Sequence, residues 1–185
     1  MSFSPRLSLA AFALIFGMMA APAMAQDVQP TRLDTIMQTI TADEQPVRSG
    51  YASLADAVAA QSLDDLDDET SCMAGAIYFE SKGEPLTGQL AVANVILNRI
   101  RSGRFASTIC SVVTQRGQFS FVRDGRVPDI ADCAYYRTAI AVARVAMADA
   151  WQSPAAGALF FHARRISPGW RHEQVATIGN QVFYR

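Results

Sequence analysis

Residues 72–85 read CMAGAIYFESKGEP, and this segment carries the main structural signal of the chain. Small and apolar residues recur in it at helical spacing, and Glu80 falls three residues after Ile77. The Glu80 carboxylate therefore lies on the apolar face of a predicted helix, whereas a solvated glutamate would point the other way. Gly83 suits a left-handed C-terminal position and Pro85 cannot continue a helix, so Glu80 belongs to the last turn.

Two interpretations of Glu80 are open at this point. Burial and the negative end of the helix dipole both raise the pKa of a carboxyl group, which describes a general acid. Buried glutamates also occur in ion pairs with arginine or as caps of backbone groups, and the spacing does not separate these cases.

A second helix is predicted to follow Pro85, and it carries two amides on one side. Asn94 and Asn98 lie four residues apart, so they share a face. They are expected to orient Glu80 or hold a sugar, or else to cap the next loop. The apolar stripe of this helix consists of Leu86, Leu90, Ala93, Leu97 and Ile100.

The remaining pattern predicts an α+β domain that is mainly helical. Residues 107–113 form a short helix, and residues 118–121 (QFSF) alternate like a strand or a wall of a cleft. An alanine-rich helix is predicted over residues 128–151, apolar around most of its surface and therefore central. Strands are expected at residues 158–162, 175–178 and 181–184, the last two joined by a hairpin at Gly179 and Asn180.

The N-terminal third differs in composition from the rest. Residues 1–25 have the charged, apolar and small-residue parts of a secretory signal peptide, so we expect an exported protein without a stable membrane anchor after cleavage. Residues 26–68 are predicted to be an acidic, largely disordered leader, followed by a catalytic domain at 69–185. From residue 71 onward bases outnumber acids by thirteen to seven, which suits an anionic polymer.

Five stretches in the same order resemble the SleB-like cell wall hydrolases, the family of the spore cortex-lytic enzymes. The resemblance spans about 115 residues, from Cys72 to the C-terminus. This chain departs from the family pattern at Lys82, where arginine is commoner, and at Gln181, where histidine is expected. The stretches are YFESKGEP (78–85), GQLAVANVILNR (88–99), QFSF (118–121), ALFFHA (158–163) and IGNQVFYR (178–185).

The resemblance implies a fold similar to lysozyme and the lytic transglycosylases, with Glu80 at the position of the catalytic glutamate. It also implies cleavage of peptidoglycan between N-acetylmuramic acid and N-acetylglucosamine, in the periplasm or cell envelope. Ordinary glycosidases use two carboxylates. A lytic transglycosylase can use one, first as acid and then as base. We expect this single-carboxylate mechanism, with a hydrolytic muramidase or glucosaminidase as the alternative. The expected substrate-binding residues are Asn94, Asn98, Gln118, Phe119, Ser120, His162 and Tyr184.

Two further functions are weighed against glycan cleavage. Cys72 and His162 are a conceivable nucleophile and base for cutting the peptide stems of the wall, and a non-catalytic wall-binding module is the other possibility. The chain has two histidines, without zinc-ligand spacing around them. We expect no metal, no cofactor and no nucleic-acid partner, and the sequence indicates no particular protein partner.

Three cysteines would enter an oxidising compartment, so at least one is left over within a single chain. The expected disulfide joins Cys110 to Cys133, because both flank the QFSF segment. Cys72 is then an inert thiol in the core. Glu84 is expected to have a structural role at the start of the second helix.

Overall fold

The computed structural model describes residues 50–185. The expected signal peptide and the part of the expected leader up to residue 49 lie outside this range. Within it, five helices precede three strands. The helices are α1 (Leu54–Ala59), α2 (Asp68–Ser81), α3 (Leu86–Arg101), α4 (Ile109–Val113) and α5 (Ala134–Met147), and the strands are β1 (Phe160–Ala163), β2 (Gln174–Ile178) and β3 (Gln181–Tyr184).

Helix α2 forms where its apolar periodicity predicts. It begins after Asp67, whose side chain accepts a 2.7 Å hydrogen bond from the Thr70 amide, as an N-cap residue does. It ends at Ser81, and Gly83 then takes a left-handed φ of +84°. The predicted position of Glu80 in the last turn is confirmed.

Helix α3 is buried on two sides, which makes it the central element. Leu90, Ala93 and Ile96 pack in the main core with α2 and α5. Val92 and Val95 belong to a second cluster, which includes Phe183 of β3. The helix therefore separates the helical core from the sheet and fixes the position of one against the other.

The alanine-rich helix is shorter than expected. α5 starts only at Ala134, because Cys133 has an extended backbone with ψ of 165° and acts as the N-cap residue. It ends at Met147, and Asp149 adopts a left-handed φ of +50° two residues later. Its packing against α2 and α3 confirms that it is a core helix.

The three strands form one antiparallel sheet in the order β1-β3-β2. The expected hairpin between β2 and β3 is confirmed, with Gly179 at a φ of +56°. β1 pairs with β3 so that Phe160 lies opposite Tyr184. The fold class is thus the expected one, mainly helical with a small antiparallel sheet at the C-terminal end.

The expected boundary of the leader at residue 68 is wrong for its described part. Leu54 and Ala57 of α1 are buried in the main core, because α1 packs against α5. The Arg144 guanidinium of α5 also donates hydrogen bonds to the main-chain carbonyls of Asp64 and Asp65. The folded domain therefore includes the segment from α1 onward.

Across residues 50–185, no helix combines the length and the apolar character that crossing a bilayer requires.

Candidate active site

The Glu80 carboxyl group is partly buried and has no electrostatic partner among the residues that the structure describes. Burial raises its pKa above the ordinary value of 4.5. Among residues 50–185 the carboxylate neither accepts a hydrogen bond nor forms an ion pair. The described residues therefore do not support the interpretation of Glu80 as a paired or capping group.

Glu80 opens into a cleft of about 580 Å³. One wall is the edge strand β1, another is the turn at residues 117–120, and the loop that carries Ile166 and Trp170 lies beside them. Of the described residues that line the cleft, Glu80 is the only carboxylate. The arrangement can deliver one proton to a ligand held between aromatic walls.

Most of the expected substrate-binding residues meet in this cleft. Gln118, Phe119, Ser120 and His162 line it directly. Tyr184 lines the adjoining pocket, and its hydroxyl lies 2.9 Å from Nε2 of His162. The QFSF segment is a turn instead of a strand, so only the interpretation of it as a cleft wall agrees with the structure.

The two amides of α3 are placed elsewhere. The Asn94 side chain is buried and donates to the main-chain carbonyl of Leu90 in the preceding turn of the same helix. The Asn98 side chain donates a 3.0 Å hydrogen bond to the Ala158 carbonyl, just before β1. Neither amide is among the residues that line the cleft, so the structure does not bring them to the expected substrate-binding site. The Asn98 side chain instead joins α3 to the segment that leads into β1.

Sequence reasoning missed the Arg99 side chain as a component of the cleft. Arg99 is 5 % exposed, and its Nε donates a 2.8 Å hydrogen bond to the Leu159 carbonyl. Its guanidinium lies 5.0 Å from the ring centre of Phe105 and 5.6 Å from that of Phe119. Burial lowers the pKa of Arg99 to about 10, so the group stays charged at neutral pH. The available signal was its place at the end of the GQLAVANVILNR stretch.

Several aromatic rings of the cleft were missed as well. Phe79, beside Glu80, stacks on Phe121 with ring centres 4.7 Å apart. Phe160 and Phe161 of β1 line the cleft together with Trp170. Phe160 belongs to a predicted strand and Trp170 to a loop without a periodic pattern, so the sequence did not mark either residue as part of the cleft.

Glu84 is held by the β-hairpin, as the structural interpretation expects. Its carboxylate accepts hydrogen bonds from the Asn180 backbone amide at 2.9 Å and the Asn180 side-chain amide at 3.1 Å. A Cβ atom at Gly179 would lie 2.0 Å from Oε2 of Glu84, so the turn requires glycine for space as well as for its φ. Glu84 ties the start of α3 to the sheet.

The expected disulfide is wrong. Cys72 is bonded to Cys110, and Cys133 is free. The reason is the Glu69 carboxylate of α2, which accepts hydrogen bonds from the Ile109 and Cys110 amides at the start of α4. That contact brings the first turns of α2 and α4 together.

The disulfide also removes the peptidase alternative in the form considered. The Cys72 sulfur is not a thiolate while it is bonded to Cys110. Cys72 lines a different cleft, together with Val127 and Tyr136, whereas His162 lines the cleft that contains Glu80. The two side chains therefore do not form a nucleophile and base pair.

The fold and the cleft together define a mainly helical α+β domain with one candidate acid among the described cleft residues. The chain belongs to the Cell Wall Hydrolase family, whose model matches residues 83–184. The match begins three residues after Glu80. Membership confirms the resemblance that the five sequence stretches indicate.

Curated relatives and solved structures agree with this membership. The spore cortex-lytic enzyme of Halalkalibacterium halodurans is 36% identical over 122 residues, which cover 63% of this chain and 34% of that protein. The enzyme of the same name from Bacillus cereus is 36% identical over 117 residues, 60% of this chain and 42% of that protein. This chain thus spans well under half the length of both relatives.

The structural comparison covers a larger share of the matched chain. The catalytic domain of the germination-specific lytic transglycosylase SleB from Bacillus anthracis superimposes with a TM-score of 0.55 and 30% identity, covering 68% of this chain and 100% of that one. The SleB catalytic domain of Bacillus cereus gives a TM-score of 0.52 and 31% identity, covering 63% and 89%. The fold is that of these catalytic domains.

Proposed function

We propose that this protein cleaves the glycan strands of peptidoglycan between N-acetylmuramic acid and N-acetylglucosamine, as a lytic transglycosylase. The observation that carries the proposal is the unpaired Glu80 carboxyl with a raised pKa, alone among the described cleft residues as an acid. Membership of the Cell Wall Hydrolase family supports the substrate class. Similarity to the lytic transglycosylase SleB of Bacillus anthracis supports the reaction class.

The reaction needs one carboxyl group in two successive states. Protonated Glu80 donates its proton to the glycosidic oxygen while the bond from that oxygen to C1 of the muramic residue breaks, and the electron pair goes to the oxygen. The Glu80 carboxylate then accepts the proton of the muramic C6 hydroxyl as that oxygen bonds to C1. The acid is restored, and no water is consumed.

The described cleft offers no second carboxylate to activate water, which favours this route over hydrolysis. An inverting or retaining glycosidase places a second carboxylate near the scissile bond. Glu84 is the nearest other glutamate in the sequence, and its oxygens are occupied by Asn180. Gln118, Phe119, Ser120 and His162 are proposed to contact the sugar, and Tyr184 to support His162.

The proposed substrate requires export, and the disulfide is consistent with it. A bond between Cys72 and Cys110 is typical of oxidising compartments such as the periplasm. Action at the cell envelope, after removal of the expected signal peptide, is part of the proposal.

Mass spectrometry of digested sacculi tests the reaction. Transglycosylation leaves 1,6-anhydro-N-acetylmuramic acid ends, which are lighter by one water than the reducing ends of hydrolysis. We expect the anhydro form. Reducing ends would favour the hydrolytic alternative with a base outside the described cleft residues, and cut peptide stems with intact glycan would contradict glycan cleavage.

A further inference from the structure

A second pocket adjoins the Glu80 cleft. Its volume is about 330 Å³, and it is formed by Arg164, by the loop at residues 166–170, and by His162, Val182 and Tyr184 of the sheet. His162, Ile166 and Trp170 line both spaces. A ligand that leaves the Glu80 cleft along this side therefore passes over Trp170.

Trp170 is unusually exposed for a ring that is held on several sides. Its exposed fraction is 43 %, and that of Ile166 is 50 %. Its indole lies 5.5 Å from the ring of His162 and 5.9 Å from that of Tyr184, at 82° to each. It also contacts Phe160 and His172 edge to face, at 6.0 and 5.8 Å. A rigid, exposed apolar surface beside a reaction cleft is typical of a binding site.

The surrounding rings form two stacked pairs that fix this surface. Phe160 lies parallel to His172 at 4.4 Å, and His162 stacks on Tyr184 at 5.2 Å. The second pair is joined by the hydrogen bond between Nε2 of His162 and the Tyr184 hydroxyl. The indole is thus positioned before a ligand arrives, which lowers the entropy lost on binding.

We propose that the pocket at residues 166–170 is an additional sugar subsite, in which Trp170 stacks on a pyranose ring of the same glycan strand that Glu80 cleaves. The faces of an indole carry negative charge density and attract the weakly positive C–H edge of a ring, and a pyranose presents C–H groups on its faces. Residues 166–170 carry no charge, and Arg164, the charged residue among those that line the pocket, has N–H donors for sugar hydroxyls. This inference rests on the proposed function.

The test is calorimetric binding of N-acetylglucosamine oligomers to the full chain carrying Glu80→Gln, which prevents turnover. Adding Trp170→Ala should raise the Kd of the hexamer about tenfold, the effect of losing a central tryptophan anchor. The loss for the dimer should be much smaller, because a dimer need not leave the Glu80 cleft. Trp170→Phe should retain most of the affinity. Tyr135→Ala is the matched control, since Tyr135 is 58 % exposed and belongs to neither space.

A second readout locates the contact. The chain has two tryptophans, so Trp151→Phe leaves Trp170 as the only indole, and the hexamer should shift its fluorescence. An unchanged hexamer Kd in Trp170→Ala, an equal loss for dimer and hexamer, or displacement of the hexamer by a free stem peptide would overturn the subsite. If the subsite fails these tests and the wild-type chain still cuts sacculus glycan, the proposed glycan cleavage stands without the Trp170 subsite. If the wild-type chain leaves the glycan intact, both the cleavage and the subsite are contradicted.

Discussion

Gln181 Nε2 donates a 2.8 Å hydrogen bond to the main-chain carbonyl oxygen of Glu80. The bond joins the middle strand of the sheet to the last turn of α2, and Gln181 is only 5 % exposed. Glutamine and the histidine that the family resemblance leads one to expect at this position can both donate a hydrogen bond to a carbonyl oxygen. Gln181, which also lines the cleft, therefore holds the end of α2 that carries the candidate acid.

Replacing Gln181 with methionine keeps the length of the side chain and removes the donor. The Glu80 carbonyl is then left without this partner, so we expect the free energy of unfolding to fall by about 1–3 kcal/mol. The value of kcat should fall several-fold with little change in KM, because Glu80 is less firmly held. Urea unfolding and kinetics on sacculi check both. Gln174→Met is the control, since Gln174 is exposed and donates a hydrogen bond to the Thr177 hydroxyl within β2. An unchanged kcat in the Gln181→Met variant would contradict the supporting role of Gln181.

The disulfide gives a second prediction. Its cysteines are 38 residues apart, and in the chain-entropy model closing a loop of that size raises the free energy of the unfolded chain by about 4 kcal/mol at room temperature, because that chain loses entropy. Cys72→Ala should lower the free energy of unfolding by about 2–4 kcal/mol, and Cys133→Ala should have little effect. Denaturant unfolding measures both, and non-reducing peptide mapping that joined Cys110 to Cys133 would contradict the pairing.

Helix α1 gives a third prediction, because it belongs to the core and not to a dispensable leader. Leu54 is 8 % exposed and Leu63 is 39 % exposed. Leu54→Ala should cost about 2 kcal/mol or more, and the matched change Leu63→Ala should cost clearly less. Thermal or urea unfolding compares the two, and equal small effects would show that α1 contributes nothing to the stability of the domain.

The sequence was sufficient to predict those elements that are determined by local patterns of residues. Helix α2, the hairpin at Gly179 and the burial of Glu80 follow from periodicity and turn chemistry, and the ordered family stretches brought Gln118, Phe119, Ser120 and His162 to one site. The disulfide was not predictable in this way, because it depends on Glu69 capping a helix forty residues away. Trp170 enters the cleft through packing between distant elements, which no local pattern encodes, and the signal for Arg99 was limited to its place in the GQLAVANVILNR stretch.

The pH dependence of activity follows from the burial of Glu80. The acid must carry its proton, so kcat/KM should fall as pH rises through the pKa of Glu80, at a midpoint above the ordinary value of 4.5. The contribution of Glu80 to the stability of the folded state changes with pH in the same direction. The contribution of a carboxyl with a raised folded-state pKa is fully present below the unfolded value and is lost as pH rises through the folded value. A limb of the kcat/KM profile centred at or below 4.5 would contradict the raised pKa.

The most direct test of the account is the rate at which Glu80→Gln releases soluble glycan fragments from purified sacculi. Glutamine keeps the shape of the side chain and removes the transferable proton, so we expect a loss of about a hundred- to ten-thousand-fold with an unchanged unfolding transition. Glu173→Gln is the control, because Glu173 is exposed and pairs with Arg185 outside the cleft; it should keep the wild-type rate. A folded Glu80→Gln variant that releases fragments at the wild-type rate would contradict the assignment of Glu80 as the acid.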